Sequence, residues 1–231
     1  MTNRKLLRLA TTLLFAGVLL TFFAGILHPA NAPANNHVAS FAEYAGSSTW
    51  AAVHLGQFAG MAVIVVALLV LLTALDFLSG TTLWAGRLVA ALAAGALALY
   101  AVLQAVDGVA LKQAVDAWAG APDTEKAARF ASAEAIRWLE WGMRSYQSYV
   151  FGLTLVAFGA VIGWTGRAPR PIGYLMALAG LAYLAQGWVL GTEGFSATNT
   201  VPTISGYLFI IATSLWLLVN AWRMREGIRA S

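Results

Sequence analysis

Six long apolar segments constrain this chain more than any other feature of its sequence. Each is about 20 residues long, and a helix of that length crosses the roughly 30 Å hydrocarbon core of a bilayer. Of the 231 residues, 60% are hydrophobic and only 10% are charged, whereas a soluble domain carries about 25% charged residues. The sequence therefore predicts one all-α domain over 1–231, a polytopic membrane protein with six transmembrane helices. The predicted spans are about 9–27, 50–74, 83–106, 146–164, 172–190 and 203–222.

The first apolar segment has two interpretations. Basic residues within 4–8 precede it and the small residues 30–32 follow it, as in a secretory signal peptide with its cleavage site. However, the apolar run is longer than a typical signal core, and Pro33 would follow the cleaved bond. We therefore interpret the segment as a first transmembrane helix that ends at His28-Pro29.

Charge is divided unequally between the two ends of the predicted bundle. Six spans put both termini on one side, which receives nine basic and two acidic residues, a net +7. The other side receives five basic and eight acidic residues, a net −3, which together with +7 gives the formal charge of +4. Because Lys and Arg are enriched in cytoplasmic loops, both termini are predicted to be cytoplasmic in a bacterial inner membrane. The residues on the positive side are Arg4, Lys5, Arg8, Asp76, Arg87, Arg167, Arg170, Arg223, Arg225, Glu226 and Arg229.

Several function classes are excluded by what the sequence lacks. Without cysteine there is no thiolate metal site, iron–sulfur cluster, disulfide or thiol catalysis. No P-loop or G-x-G-x-x-G occurs, which argues against nucleotide binding, and no G-x-S-x-G nucleophile elbow occurs. Since the positive charge collects at one membrane face, it does not indicate a nucleic acid partner.

The outer segment 107–144 is predicted to begin with an amphipathic helix. Leu111, Val115 and Trp118 recur at i, i+4 and i+7, the spacing of a helix that lies along the membrane surface. Residues 120–122, Gly-Ala-Pro, end this helix.

A second amphipathic helix is predicted to follow. Asp123 or Thr124 would cap its N-terminus, and the helix could continue into the fourth span. Side chains three or four residues apart on a helix are neighbours, so two ion pairs are expected along it. These are Glu134–Arg137 and Glu140–Arg144.

Small and aromatic residues predict contacts inside the bilayer and at its surfaces. Glycine faces let helix backbones approach closely where no hydrophobic force drives association, and tryptophan rings collect at the headgroup level. The predicted packing glycines are Gly56, Gly60, Gly159, Gly163, Gly173, Gly180 and Gly187, and the predicted interface anchors are Trp50, Trp118, Trp138, Trp141 and Trp188.

Polar side chains cluster toward the outer ends of the spans. A polar side chain inside a bilayer is costly, so its position is informative. This cluster predicts an outward-facing polar pocket that receives a small molecule, a lipid headgroup or a partner subunit. Alternatively, the glutamines join helices by hydrogen bonds and the charged residues form fixed ion pairs. The predicted pocket residues are His54, Gln57, Gln104, Asp107, Glu140, Arg144, Gln147 and Gln186.

All three histidines, His28, His37 and His54, lie in one thirty-residue stretch. His28 and His54, with Asp107 or Glu140, could form a two-histidine, one-carboxylate metal site, or the two histidines could ligate a haem. No H-E-x-x-H or H-x-x-x-H spacing supports the metal site. In the alternative, His28 caps the first helix or lies among lipid headgroups, and His37 is solvated in an Asn-rich loop.

Five segments resemble a group of six-span bacterial membrane proteins that has no assigned activity. The likeness extends over most of the chain, and it implies the six-span topology but no chemistry. The segments are HPANAPANNHVASFAEYA, WAAVHLGQF, VDGVALKQAVDAWA, EAIRWLEWGMRSYQS and QGWVLGTEGFS.

Three functional hypotheses follow from the sequence. The first is a non-catalytic membrane protein whose outward pocket receives a ligand or a partner subunit. The second is a membrane enzyme that uses a haem or a single metal ion held by His28, His54 and a carboxylate. The third is a small transporter that acts as an oligomer, although no charged residue lies near the predicted midplane. The expected partners are the lipid bilayer and a second copy or another membrane subunit.

Overall fold

The computed structural model describes residues 3–223, and its regular elements are all helical. Two short 3-10 turns, Gly80–Thr82 and Ala197–Asn199, precede α4 and α8, and a π-helical segment, Val106–Leu111, joins α4 to α5. The α-helices are α1 (Arg4–Ile26), α2 (His37–Ala45), α3 (Trp50–Ala74), α4 (Leu83–Ala105), α5 (Lys112–Ala119), α6 (Asp123–Thr165), α7 (Arg170–Glu193) and α8 (Thr200–Arg223).

Six helical stretches are long and apolar enough to cross a membrane, which confirms the predicted fold class. They are α1, α3, the stretch Gly80–Ala119, α6, α7 and the stretch Ala197–Arg223. Large apolar side chains such as Trp84 and Trp188 remain exposed on the outside of the bundle, as expected of a surface that faces lipid. The structure is that of a multi-pass helical membrane protein.

The chain termini and the predicted inner connections meet at one end of the bundle. The backbone N–H of Asn3 donates to the carbonyl of Ala74, and Arg8 Nε donates to the carbonyl of Ala221. Arg167 donates to the carbonyl of Asp76, which joins the start of the α6–α7 connection to the end of α3. We call this the basic end and the opposite one the histidine end. Three residues of the predicted positive side, Arg225, Glu226 and Arg229, lie outside the described residues.

The outer segments differ from prediction in three respects. Residues 37–45 form a helix, α2, whose N-cap Asn36 accepts a hydrogen bond from Ala39. The predicted amphipathic helix, α5, is not a separate surface segment: it continues α4 through the π-helical segment, and Leu111 and Val115 are buried against α2 and α6. The N-cap of α6 is Pro122 rather than Asp123 or Thr124.

The α6 helix combines the second outer helix and the fourth span in 43 residues. At 1.5 Å per residue it is about 65 Å long, roughly twice the hydrocarbon thickness. Its first half therefore stands beyond the membrane core at the histidine end, where it packs against α2 and α5.

Glycines mark the two closest helix pairs, as predicted. Gly60 of α3 packs on Gly17 of α1, and Gly159 and Gly180 pack on the facing backbones of α7 and α6. A Cβ added at Gly180 would lie 2.5 Å from the carbonyl oxygen of Gly152. Since that obstacle is backbone, only a separation of the two helices could accommodate it.

We expect Gly180→Ala to lower the free energy of unfolding by about 1–3 kcal/mol, the usual cost of overpacking a close contact. Thermal unfolding in detergent, followed by circular dichroism, measures the change. The matched control is Gly142→Ala on α6, where an added Cβ meets nothing within 4 Å. Equal midpoints for the two variants would contradict the close α6–α7 contact.

Candidate functional site

The polar site is built around the π-helical segment Val106–Leu111, a type of wide turn that often occurs at functional sites. Trp50 Nε1 donates to the carbonyl oxygens of Asp107 at 3.3 Å and Gly108 at 3.1 Å. Gly108 permits a close approach of α3, because a Cβ there would lie 2.8 Å from the Cβ of His54. The segment thus places the carboxylate of Asp107 beside His54.

Three side chains from three different segments converge at this point. One ligand atom each of His28, His54 and Asp107 lies within 4.8 Å of the other two. His54 Nε2 is 3.2 Å from Asp107 Oδ2, and these two side chains are only 4% and 13% exposed. We call these three residues the His–Asp cluster. Of the two carboxylates that the sequence offered, the structure brings Asp107 rather than Glu140 into it.

Both imidazoles of the cluster are oriented through Nδ1. His28 Nδ1 lies 2.8 Å from the carbonyl oxygen of Pro29, and His54 Nδ1 lies 2.8 Å from that of Trp50. A carbonyl only accepts hydrogen bonds, so each Nδ1 carries a proton and each neutral ring keeps its lone pair on Nε2. Metal-binding histidines are commonly fixed in this way, by donation from the other ring nitrogen.

Burial favours the neutral form of His28, which lies in the connection after α1. Desolvation is the main cause that lowers its pKa below 6.5, and the nearby His54 and Arg137 act in the same direction. Asp107 and the carbonyl of Pro29 oppose this shift without reversing it. A neutral imidazole is the form that ligates a metal ion.

The cluster contains buried polar atoms that lack hydrogen bonds within the described residues. Asp107 Oδ1 has no partner, and His54 Nε2 has only the 3.2 Å contact with Asp107 Oδ2, which does not have the geometry of a full hydrogen bond. Such atoms are rare in native structures, because each one costs about 1–3 kcal/mol. The cluster therefore holds unsatisfied nitrogen and oxygen atoms that a cation could bind.

Aromatic rings enclose the cluster. The ring centroid of Trp50 lies 4.3 Å from that of His54 and 5.1 Å from that of His28, and Tyr44 packs on Trp50 at 4.6 Å. Trp50 is only 1% exposed. Its predicted role as an interface anchor is therefore wrong, whereas Trp138 and Trp188 are exposed as predicted.

A cavity of about 540 Å³ lies beside the His–Asp cluster at the histidine end. Its roof consists of the connection after α1, residues 29–34, together with Phe195. Five of the eight predicted pocket residues line this cavity, and the sequence interpretation missed Arg137 there. The polar and charged lining is formed by Thr21, His28, Tyr44, Gln57, Tyr100, Gln104, Asp107, Arg137, Glu140, Arg144, Thr203 and Tyr207.

The other three predicted pocket residues lie outside the cavity lining. His54 is behind Asp107 in the His–Asp cluster. Gln147 is fully buried, with no hydrogen bond to its amide within the described residues. Gln186 accepts a hydrogen bond from Ser148 and donates one to Thr203 Oγ1 at 2.7 Å, so it joins helices as in the alternative interpretation.

The charged side chains of α6 pair differently from the prediction. Arg137 pairs with Glu140, and both side chains are almost fully buried. Glu134 instead accepts from His37, whose Nδ1 lies 2.8 Å away. Arg144 has no carboxylate partner within residues 3–223 and lies over the ring of Tyr100 at 5.9 Å.

The prediction that His37 is solvated is wrong. Its side chain is 10% exposed, and its ring stacks on Phe41 at 5.5 Å besides pairing with Glu134. The cause is α2, which carries His37 at its first position and packs it against α6. The helix lies between two apolar spans and was not predicted as a helix.

Glu43 of α2 holds the roof of the cavity. Its carboxylate accepts hydrogen bonds from the backbone N–H groups of Asn31 and Ala32 at 3.0 and 2.9 Å and from Asn31 Nδ2 at 2.8 Å. The hydrogen bond from Ala32 is the main cause that lowers the pKa of Glu43 below 4.5. These hydrogen bonds hold residues 31 and 32 of the connection that also carries His28.

We expect Glu43→Gln to speed amide hydrogen exchange at residues 31 and 32 by less than about tenfold, since the carboxylate is largely solvated. In the wild type, the pKa of Glu43 is lower in the folded state than in the unfolded state. The stabilisation from its hydrogen bonds is therefore fully present above pH 4.5 and is lost as the pH falls through the folded-state pKa. Exchange measured by mass spectrometry between pH 7 and pH 3.5, corrected for intrinsic rates, tests both points. Glu125→Gln, in an exposed pair on α6, is the control.

Comparisons with known protein families, with curated proteins and with solved structures find no match for this chain. The chemistry of the site itself is therefore the basis for the functional conclusion.

Proposed function

We propose that the protein is a metal-dependent membrane enzyme whose single ion is held by His28, His54 and Asp107. The observation that carries this proposal is their convergence, with both imidazoles fixed through Nδ1 and the ligand atoms within 4.8 Å of one another. The ion would lie at the wall of the polar cavity, since His28 and Asp107 belong to the His–Asp cluster and also line the cavity.

The donor set indicates which ions fit. Two imidazoles and one carboxylate suit zinc or iron(II), and the absence of cysteine excludes sites built on thiolates. The 3.2 Å between His54 Nε2 and Asp107 Oδ2 is close to the separation of two ligands around a tetrahedral zinc ion with bonds of about 2.0 Å. His28 would complete the site by a small movement of the connection that carries it.

The number of ligands supports a catalytic rather than a structural ion. Structural zinc sites have four protein ligands, whereas catalytic sites have three and leave a position for water or substrate. Here the open position would face the cavity. A bound ion of this kind polarises a substrate oxygen or lowers the pKa of its bound water to about 7. Glu140, also on the cavity wall, is the remaining carboxylate that could exchange a proton with that water.

A haem fits this site poorly. The rings of His28 and His54 are 5.2 Å apart, and the indole of Trp50 packs against both of them. A porphyrin between the two imidazoles would have to displace Trp50 from the core. A single ion requires no such change.

A metal-free binding role is the second candidate. It is supported by the ion-pair contact of His54 with Asp107, which could hold the cavity wall without any cofactor. The cavity would then receive a small molecule, a lipid headgroup or a segment of a partner subunit, and its volume is typical of a small-molecule site.

We also propose that the histidine end faces outward from a bacterial inner membrane. The support is the excess of basic residues at the other end, which favours the cytoplasm. Because the chain has no cysteine, single cysteines at residues 31 and 80 can be labelled in intact cells with an impermeant maleimide. Labelling at residue 80 but not at residue 31 would reverse the orientation.

Metal analysis tests the proposed enzyme against the binding role. Protein purified in mild detergent is expected to contain about one zinc or iron per chain, to lose it to a strong chelator and to regain it on reloading. Its absorption spectrum is expected to show no Soret band. If neither zinc nor iron binds after reloading with either ion, the proposal fails and the metal-free role remains.

A further inference from the structure

We propose that the cavity binds an organic oxyanion, a carboxylate or a phosphate, through the guanidinium of Arg144. The inference rests on the proposed function, because the same anion would lie next to the ion at the His–Asp cluster. It deepens that function by naming the substrate class.

Arg144 differs from the other arginine in the cavity wall. Arg137 is neutralised by its pairing with Glu140 and also donates to the hydroxyl of Tyr44. Arg144 has no carboxylate within salt-bridge distance in the described part of the chain. Its guanidinium lies over the ring of Tyr100 at 5.9 Å, the outer limit of a cation–π contact, and its other polar neighbours are the uncharged hydroxyls of Tyr100, Tyr183 and Tyr207.

A partly buried arginine without a counterion is costly, because burial removes water from the charge. A guanidinium presents a planar fork of donors that matches a carboxylate or a phosphate in a bidentate arrangement. Arg144 lines the cavity, so a ligand that enters there can supply the missing anion. A purely structural role, in which Arg144 contacts only tyrosine side chains, supplies no negative charge to balance the guanidinium.

The charge of the cavity also favours an anion once the ion is present. With neutral histidines, the two arginines and the two acids of the lining cancel. A divalent ion at the His–Asp cluster then adds two positive charges. An anionic ligand would offset part or all of this positive charge.

Neutral polar groups surround the space that the anion would occupy. Gln104 donates to Gln57 at 3.4 Å, and Gln104 Oε1 is buried without a hydrogen-bond partner in the described structure. Thr203 and Tyr207 line the same cavity. Its volume of about 540 Å³ exceeds that of a small inorganic anion, so the oxyanion is expected to be part of a larger organic molecule.

Isothermal titration calorimetry on metal-loaded protein in detergent tests the inference. The probes are inorganic phosphate, acetate and dihexanoyl phosphatidic acid, a short-chain lipid. We expect at least one probe to bind the wild type and to bind Arg144→Gln about 10- to 100-fold more weakly, the loss of a charge-assisted bidentate contact. Arg144→Lys keeps the charge but not the fork, and should bind with intermediate affinity.

Arg129→Gln is the matched control, because Arg129 lies on the same helix in an exposed pair with Glu125. Equal affinities for Arg144→Gln and Arg129→Gln, or no binding of any probe, would overturn the inference while the metal analysis still supports the enzyme. Protein that binds no metal would overturn both. Among supporting outcomes, a tighter affinity for the lipid than for phosphate or acetate identifies a lipid headgroup, and similar affinities identify a soluble oxyanion.

Discussion

Replacement of His54 by alanine is expected to weaken zinc binding by more than about 100-fold, since loss of even an outer-shell partner costs 10- to 100-fold. His54 supplies one of three ligands, and no other histidine within residues 3–223 is near enough to substitute for it. Competition with a chromophoric chelator measures the affinity, and elemental analysis measures the bound ion.

His37→Ala is the matched control for His54→Ala. His37 is also a partly enclosed histidine at the histidine end, but it pairs with Glu134 rather than with the cluster. We expect it to leave metal content unchanged. The metal affinity of Trp50→Phe should lie between those of the two variants, because this change removes the hydrogen bonds that hold the π-helical segment but keeps all three ligands. If His54→Ala retained the ion as tightly as His37→Ala, the site would be wrongly assigned.

The fold was largely predictable because lipid imposes a simple constraint on sequence. A span needs about 20 apolar residues, and this length alone located α3 at its observed bounds of Trp50–Ala74. The prediction was less accurate where a helix continues into water. The α6 helix extends to Asp123, and only amphipathic spacing indicates that part.

The candidate site was predictable in composition but not in geometry. Polar side chains near the outer ends of the spans indicated Gln57, Gln104, Asp107 and Arg144 as neighbours, because spans must place their ends at the same level. The choice between Asp107 and Glu140 as the carboxylate near the histidines was open. The π-helical turn decides it, and the one weak signal for that turn is Gly108, which directly follows Asp107 in an apolar helix.

Side-chain pairing on α6 could not be predicted from spacing. Residues at i, i+3 and i+4 are all close on a helix, so Arg137 had Glu134 and Glu140 as equal candidates. The neighbouring helix α2 determines the pairing, because its His37 pairs with Glu134 and its Tyr44 hydroxyl accepts a hydrogen bond from Arg137. Such a decision depends on tertiary contacts between segments that are far apart in sequence.

Replacement of Arg137 by methionine is expected to lower the free energy of unfolding by about 3–5 kcal/mol, the cost of leaving one charge of a buried pair alone. Arg137 and Glu140 are 4% and 3% exposed, so the carboxyl group that remains would be poorly solvated. Arg129→Met, which breaks the exposed pair with Glu125, should cost less than about 1 kcal/mol. Reversible unfolding in mixed detergent micelles measures both values.

The double variant Arg137→Met/Glu140→Met separates the cost of a lone charge from the worth of the pair. When both members of a buried pair are replaced by apolar residues of similar volume, stability is often unchanged or higher. We therefore expect the double variant to unfold near the wild-type midpoint while Arg137→Met does not. A double variant as unstable as the single one would show that Arg137 acts mainly through its hydrogen bonds to Ala34 and Tyr44, which hold the cavity roof on α2. Recovery of stability would instead imply that the pair is not kept for stability, which is consistent with a role of Glu140 in the cavity that it lines.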